Sequence, residues 1–536
     1  MEKIISTDIR YQDLAEKRFN KRFTGKPEYI WIPRSTEDVV DAVQESVNSN
    51  RRLVVRSGGH CLEGFVSDPE VQVLVDMSLM SNIYYDTEKS AIAVEAGATV
   101  GEMYRKFFLS WGVVLPAGEH PDIGIGGHVL GGAFGFLCRE YGLAADYLYG
   151  VELVVVDASG RAHSVIATRE ENDPNRDLWW AHTGGGGGNF GIVTRYWLRS
   201  PGSGGSDPFT TLPKAPKTIT TFRVSWDWNN FDEALFSRLV RNFGDWAQNN
   251  SGPESPARQL FSLLFLNHRN LGKLEMKGVT TAGPGAMQLI DEHLASVADP
   301  LDLRYERQIE ETAWLQFALN PFPELFQPGY DKVNAKVKDA MLRRPFSDTQ
   351  IATIFKYLTS NDPVGGGLGM ATYGGQVNAT QPGATASAQR DCILDIACNT
   401  GWAGSDGEAP SLNWVRNFYK DLFAASGGVP VPDEQNGGCM INHPDTRPCR
   451  SKMEQFGHPL ANPVLRGQLS ASAAGQTTMG PHQRVPSRLV DPVTACRGGN
   501  NCRQNVGLQF SGESDMREIG ERIKRNLSCL RFDIVE

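Results

Sequence analysis

Apolar positions over residues 36–47 recur at helical spacing. Val39, Val40, Val43 and Val47 fall on one side of TEDVVDAVQESV, and Ser35 followed by Asp38 supplies a start signal just after Pro33. Short apolar runs follow this predicted helix: Leu53 to Val55, which breaks into RSGGH, and VQVLVDM, which ends near Met77. AIAVEAGATV reads as a strand running into a helix from Gly101 to Leu109, so residues 25 to about 110 are expected to form one compact α/β unit. A second unit centres on PAGEHPDIGIGGHVLGGAFGFLCREYGLAADYL. In it VELVVVDASGR predicts a strong strand and a turn at Asp157 to Gly160, and DLWWAHTGGGGGNFGIVTRYWL closes the unit. Ser200 to Lys217, rich in Gly, Ser and Pro, reads as a linker. From about residue 218 to 425, helical patterns carrying Trp and Phe alternate with strand-like stretches such as LFSLLFLN and LGMATYGGQVNAT, and a separate domain is expected. No internal repeat at a fixed period is present.

Composition narrows the class. With 40% hydrophobic and 21% charged residues over 536 positions, wholesale disorder is excluded. A net charge of −9 gives no electrostatic reason to expect nucleic acid or an anionic membrane as partner. No run of about 20 apolar residues predicts a membrane span. The N-terminal MEKIISTDIRYQDLAEKRF lacks the apolar stretch of a secretory signal, and the nine cysteines are scattered, so the expectation is a cytoplasmic protein with reduced thiols.

The chemistry is sought where glycine clusters: Gly58-Gly59, Gly124 to Gly135 and Gly184 to Gly188. Glycine lets backbone approach a ligand closely, and N–H groups in such loops can receive a pyrophosphate. GIGGHVLGG is not the G-x-G-x-x-G fingerprint, so a dinucleotide would be held by a fold other than the Rossmann type. By residue type alone, His60 reads as a loop histidine bonded to backbone. His60, His120 and His128 match no zinc spacing, and no metal site is expected.

Taken together, RSGGH at Arg56 to His60, the segment Pro116 to Leu148, and GGGGGNFGIVT at Gly184 to Thr194 resemble the FAD-linked oxidases of the berberine-bridge-enzyme type, which share the vanillyl-alcohol-oxidase (PCMH) FAD fold. The resemblance runs from about residue 25 to about 445. It implies an α+β protein: a PCMH-type FAD-binding domain of two α/β subdomains over residues 1–204, an α+β substrate domain with an antiparallel sheet over 205–425, and a return to the FAD domain over 426–445. It also implies that His60 bonds covalently to the flavin 8α-methyl. Arg56, Ser57, Gly58, Gly59 and Gly64 would belong to the loop around the pyrophosphate. Gly124, Gly126, Gly127, His128, Gly131 and Gly132 would form a second loop beside the diphosphate and ring, and Asn189, Phe190, Gly191, Ile192 and Val193 would lie near the adenine side. Where many relatives have A-G-x-C, with a second flavin link through Cys, this chain has Ala117-Gly118-Glu119-His120. A single link through His60 is therefore implied, with Ala117, Gly118 and His120 in the flavin site and Cys138 a small core residue.

The implied activity is hydride transfer from a substrate C–H to FAD and reoxidation by O2, on a hydroxyl or amine of a secondary metabolite or sugar. Tyr373, in ATYGGQVN, matches a pocket-facing stretch of the relatives and is the candidate proton acceptor; as a residue alone it reads equally well as a packed strand tyrosine. His182 reads as structural and Trp179-Trp180 as core. Two other readings stand beside the oxidase: a flavin-containing drug-binding or resistance protein without normal turnover, and an inactive relic of a damaged gene. The second arises from the tail. GGCMINHPD, Gly437 to Asp445, resembles the family's G-C-Y-I-N-Y-P-D, and there the resemblance stops. Codons shifted by one base over the next 45 or so positions permit the family's closing pattern, including Y-Y-G-D-N-Y. A frameshift near Thr446 is therefore expected, with residues 446–536 poorly ordered and the chain a weak oxidase.

Overall fold

The computed structural model describes residues 2–323, 334–362 and 364–444; the expected out-of-frame tail lies outside them. Local signals set the early elements. The helix Thr36–Ser49 starts at Ser35, whose Oγ accepts from the Asp38 N–H, and stops at Asn50 in the left-handed region. The helix Val100–Trp111 opens with a reciprocal Thr99/Glu102 capping box and ends at Gly112, with φ +65°.

Four strands make the first sheet: β1 (Lys3–Ile5), β2 (Tyr29–Trp31), β3 (Leu53–Arg56) and β4 (Val73–Asp76), in the order β1-β2-β4-β3. β2, β4 and β3 run parallel and β1 is antiparallel to β2. The second sheet has β5 (Ile83–Asp86), β6 (Ala91–Glu95), β7 (Leu148–Val156), β8 (Ala162–Thr168) and β9 (Ile192–Leu198), ordered β5-β6-β9-β7-β8 and antiparallel throughout. Val39 and Val43 of the first helix, Val73 and Val75 of β4, and Val94, Leu153 and Tyr196 of the second sheet share one core, so these two sheets form a single packed unit.

A third, wholly antiparallel sheet contains β10 (Thr218–Asp227), β11 (Leu260–Asn267), β12 (Lys273–Thr280), β13 (Glu306–Ala313), β14 (Asn334–Leu342), β15 (Gly365–Thr372), β16 (Leu394–Trp402) and β17 (Asn436–Gly438). Its order is β13-β10-β12-β11-β15-β16-β14-β17. Its own core is aromatic, with Phe222, Trp226, Phe236, Phe243 and Phe418 among the buried residues.

Two stretches differ from the sequence reading. Residues 200–217 are not a loose linker: Lys214 bridges Val113, the Val114 N–H donates to the Pro213 carbonyl at 2.8 Å, and Leu212 is buried. Leucine side chain and backbone both gain partners by lying along the first unit. The strand-like reading of LGMATYGGQVNAT holds only to Thr372, because Gly374 and Gly375 take φ of +85° and +60° and turn the chain into a short 3-10 segment. No helix among the described residues is long and apolar enough to cross a membrane.

Candidate cofactor and active site

The end of β3 and the loop before the short helix Ile125–His128 meet backbone to backbone. A Cβ on Gly58 would lie within 3.0 Å of Gly124 N and Asp122 O, and one on Gly124 within 3.0 Å of Gly58 N and the Ser57 side chain. Only glycine permits this seam. Ser57 fastens it, donating to the Ala96 carbonyl at 2.6 Å while its Oγ accepts from the Gly126 N–H at 3.3 Å. Arg56 anchors the strand end: its guanidinium pairs with buried Asp76 at 2.5 and 2.8 Å and reaches the Lys17 carbonyl, so its charge faces the protein interior. Beyond the seam the backbone opens. A Cβ on Gly127 or Gly188 would meet no atom within 4 Å, and one on Gly187 would meet only Leu130 Cδ1 at 3.8 Å. These are the places where a phosphate or ring edge could come against N–H groups, and the loops fit a bound dinucleotide.

Other predicted glycines pack against protein. Gly131 lies against Asn442, Gly132 (φ +97°) against Ser387, and Gly64 against the Phe23 ring. Asn189 donates to the Gly185 carbonyl at 2.8 Å, Phe190 packs edge-on to His182, Gly191 lies on the Val154 carbonyl, and Ile192 and Val193 are buried in β9. The side chains of this stretch pack on the protein itself.

His60 stacks on Phe19, with ring centroids 4.8 Å apart and planes 20° from parallel, and lies 4.6 Å from the His120 ring. Burial, with His120 and His128 adding to it, pushes the His60 pKa down to about 3, so the imidazole is neutral with its lone pair available. His128 serves the loop instead, its Nε2 accepting from the Gly118 N–H at 2.7 Å. The three histidines therefore lie near one another, and one of them is occupied in holding backbone. Cys138 is fully buried, its Sγ accepting from the Gly135 N–H at 3.0 Å.

Beside this group, Tyr104, Ala117, Gly118, Glu119, Phe136, Trp314 and Phe317 line a small pocket. Aromatic rings form one wall, and Glu119 is the carboxyl group in the lining. Desolvation, with Asp395 nearby, raises the Glu119 pKa to about 8, and burial raises that of Asp395 as well. Folded-state values above the unfolded ones mean stability that is present below about pH 4.5 and lost as pH rises through 8. Glu119→Gln is accordingly expected to melt higher than the parent at pH 8 and to match it near pH 5, as measured by thermal unfolding across that range.

Tyr373 is 2% exposed, just past β15, within a small cluster with Cys138, Leu143, Val377 and Cys392 and with Phe134 at 5.1 Å. Burial pushes its hydroxyl pKa well up. Its carbonyl accepts from Arg139, a residue that no sequence motif singles out. That buried guanidinium also donates to Leu260 O at 2.8 Å, Asn250 O at 2.7 Å and Ala257 O at 3.3 Å, and burial lowers its pKa to about 10. Glu119 is legible in the sequence only as the x of A-G-x-H, and Phe19 carries no signal there. His182, with Nδ1 2.6 Å from the Leu178 carbonyl, and Trp179, with Nε1 2.9 Å from the Leu148 carbonyl, are structural.

Residues 27–165 match the family described as the FAD binding domain. The chain is 45% identical over 445 residues to the aclacinomycin-N/aclacinomycin-A oxidase of Streptomyces galilaeus, covering 83% of this chain and 81% of that one. It is 30% identical over 420 residues to berberine bridge enzyme-like 21 of Arabidopsis thaliana, covering 75% and 72%. Among solved structures, a glycopeptide hexose oxidase in complex with teicoplanin superposes with a TM-score of 0.82 at 41% identity, covering 87% of this chain and 95% of that one.

Proposed function

This chain belongs to the berberine-bridge-enzyme-like FAD-linked oxidases of the PCMH fold, and from that premise we propose that it oxidises a hydroxyl-bearing carbon of a sugar or secondary metabolite, with FAD held covalently through His60. The aromatic pocket at Gly118 and Glu119 carries the proposal, because it puts an apolar wall and a proton-holding carboxyl beside the Gly118 N–H that His128 holds. The names of the relatives, an aclacinomycin oxidase and a glycopeptide hexose oxidase, support the substrate class. We place the FAD-holding part in residues 1–204 and the substrate-binding part in 205–425; the return expected over 426–445 first adds β17 to the third sheet and meets the cofactor loop at Asn442.

When bound, FAD supplies the hydride acceptor, and O2 then takes the electrons to give H2O2. The residues of the chain do the rest. Backbone at Gly127, Gly187 and Gly188 would help hold the cofactor, neutral His60 would offer its lone pair to it, and Trp314, Phe317 and Phe136 would orient the substrate and exclude water. Tyr373 is the proposed proton acceptor; it lies outside the pocket lining, buried beside Phe134.

The test is anaerobic mixing of the full-length yellow protein with a panel of hexoses and glycosylated secondary metabolites. Substrate-dependent bleaching of the flavin, reversed by air with release of H2O2, is the expected result. Tyr373→Phe is expected to keep its flavin and slow bleaching by about 10²-fold or more. Absence of bleaching across the panel would overturn the substrate class, and unchanged bleaching in the variant would remove Tyr373 from the reaction.

A further inference from the structure

The register of the third sheet brings two distant carboxyl groups together. Asp339 of β14 pairs with Ala397, and Asp395 of β16 pairs with Met341, so the two aspartates are diagonal neighbours on one face. The chain leaving β17 then returns over them. The Met440 N–H donates to Asp339 Oδ2 at 2.8 Å, and His443 places Nδ1 3.9 Å from the same oxygen. One donor atom from each of Asp339, Asp395 and His443 lies within 4.8 Å of the others.

A second observation concerns what these atoms lack. Asp339 is 2% exposed and Asp395 7%, yet Oδ1 of each, and Nδ1 of His443, have no hydrogen-bond partner among the described residues. Buried polar atoms are almost always paired, and two adjacent carboxylates in a dry site repel unless a proton or a cation lies between them.

We infer that Asp339, Asp395 and His443 form a binding site for one divalent transition-metal ion. Two carboxylate oxygens and one imidazole nitrogen suit Zn²⁺ or Mn²⁺, and three protein donors are too few for Ca²⁺, which takes 6–8 oxygens. Bonds of roughly 2.0–2.2 Å require the donor atoms to draw in by about an ångström. The ion fastens the segment after β17 to β14 and β16. That same segment reaches the glycine seam, because Asn442 donates to the Gly127 and His128 carbonyls at 3.4 and 3.2 Å. The site is thus a structural clamp on the segment that reaches the cofactor loop, and the inference does not depend on which substrate is oxidised.

Flavin-loaded full-length protein, stripped with a chelator, equilibrated with Zn²⁺ and desalted, should retain about one zinc per chain by elemental analysis. The double variant Asp339→Asn/Asp395→Asn should keep its flavin, retain at least about tenfold less zinc, and lose the zinc-induced rise in melting temperature. If the double variant does not fold, Asp395→Asn alone carries the same expectations. Retention below about a tenth of an equivalent by the parent, or equal retention by parent and variant, would overturn the site and leave a shared proton between the aspartates.

Discussion

Gly124→Ala is expected to yield a protein that no longer retains FAD. The new methyl group would occupy the position of Gly58 N and the Ser57 side chain, both within 3.0 Å, and the first of these is backbone that cannot rotate away. Overpacking of this kind costs about 1–3 kcal/mol where side chains can yield, and more where they cannot. The relief available is separation of the 56–60 strand end from the 122–128 loop, which breaks the hydrogen bond from the Gly126 N–H to Ser57 and disperses the N–H groups around the ligand. The measurement is the flavin-to-protein absorbance ratio of the purified variant together with its melting temperature. Gly127→Ala is the informative partner, because its methyl group meets no atom within 4 Å. It should melt like the parent and still bind FAD more weakly, since what it obstructs is the ligand. A Gly124→Ala protein with full flavin content would show that the seam is not part of the cofactor site.

His60→Ala is expected to convert the cofactor from covalent to dissociable. In the parent, acid precipitation should carry down about one flavin per chain; in the variant the flavin should stay in the supernatant. The neutral imidazole held on Phe19 has the lone pair that a carbon–nitrogen bond needs, and its pKa of about 3 keeps it unprotonated at ordinary pH; as the bond forms, the 8α-methyl and the imidazole would each give up a proton, and the two electrons would be left on the flavin and pass to O2 as H2O2. Attachment in apoprotein reconstituted with FAD should therefore proceed at a rate nearly independent of pH between about 5 and 8, as far as His60 governs it. Loss of the stacked ring itself should cost only about 0.5–1.5 kcal/mol, so the variant is expected to fold. Flavin that still precipitates with His60→Ala would place the link elsewhere, and peptide mapping of His120 and Cys138 would locate it.

What the sequence disclosed and what it withheld follow from the range of the forces. The helix at Thr36 was readable because its start signal and apolar spacing lie within one short stretch, and the Ser35 cap is where that pattern put it. The glycine loops were readable as loops. That Gly58 and Gly124 face one another was not, since 66 residues separate them and the approach depends on how β3 and the second unit pack. Glu119 looked like a spacer; its raised pKa comes from desolvation in the folded chain, with Asp395 of another sheet adding to it. The trio of Asp339, Asp395 and His443 had no spacing to betray it, because strand register and a returning chain assemble it. Residues 200–217 misled in the opposite direction: Gly, Ser and Pro mark a turn-rich path, and such a path can still be pinned along its length.

Arg139 limits how this architecture can change by recombination. Its buried guanidinium satisfies carbonyls at residues 250, 257, 260 and 373, all contributed by the substrate-binding part proposed for residues 205–425. A crossover that imports a new substrate-binding half has to present four carbonyls at those same points. Otherwise it leaves a charged group unpaired in a dry interior, a penalty of several kcal/mol. New specificities in this lineage are therefore expected to arise by changing side chains along the aromatic wall, with the substrate half inherited together with its cofactor half.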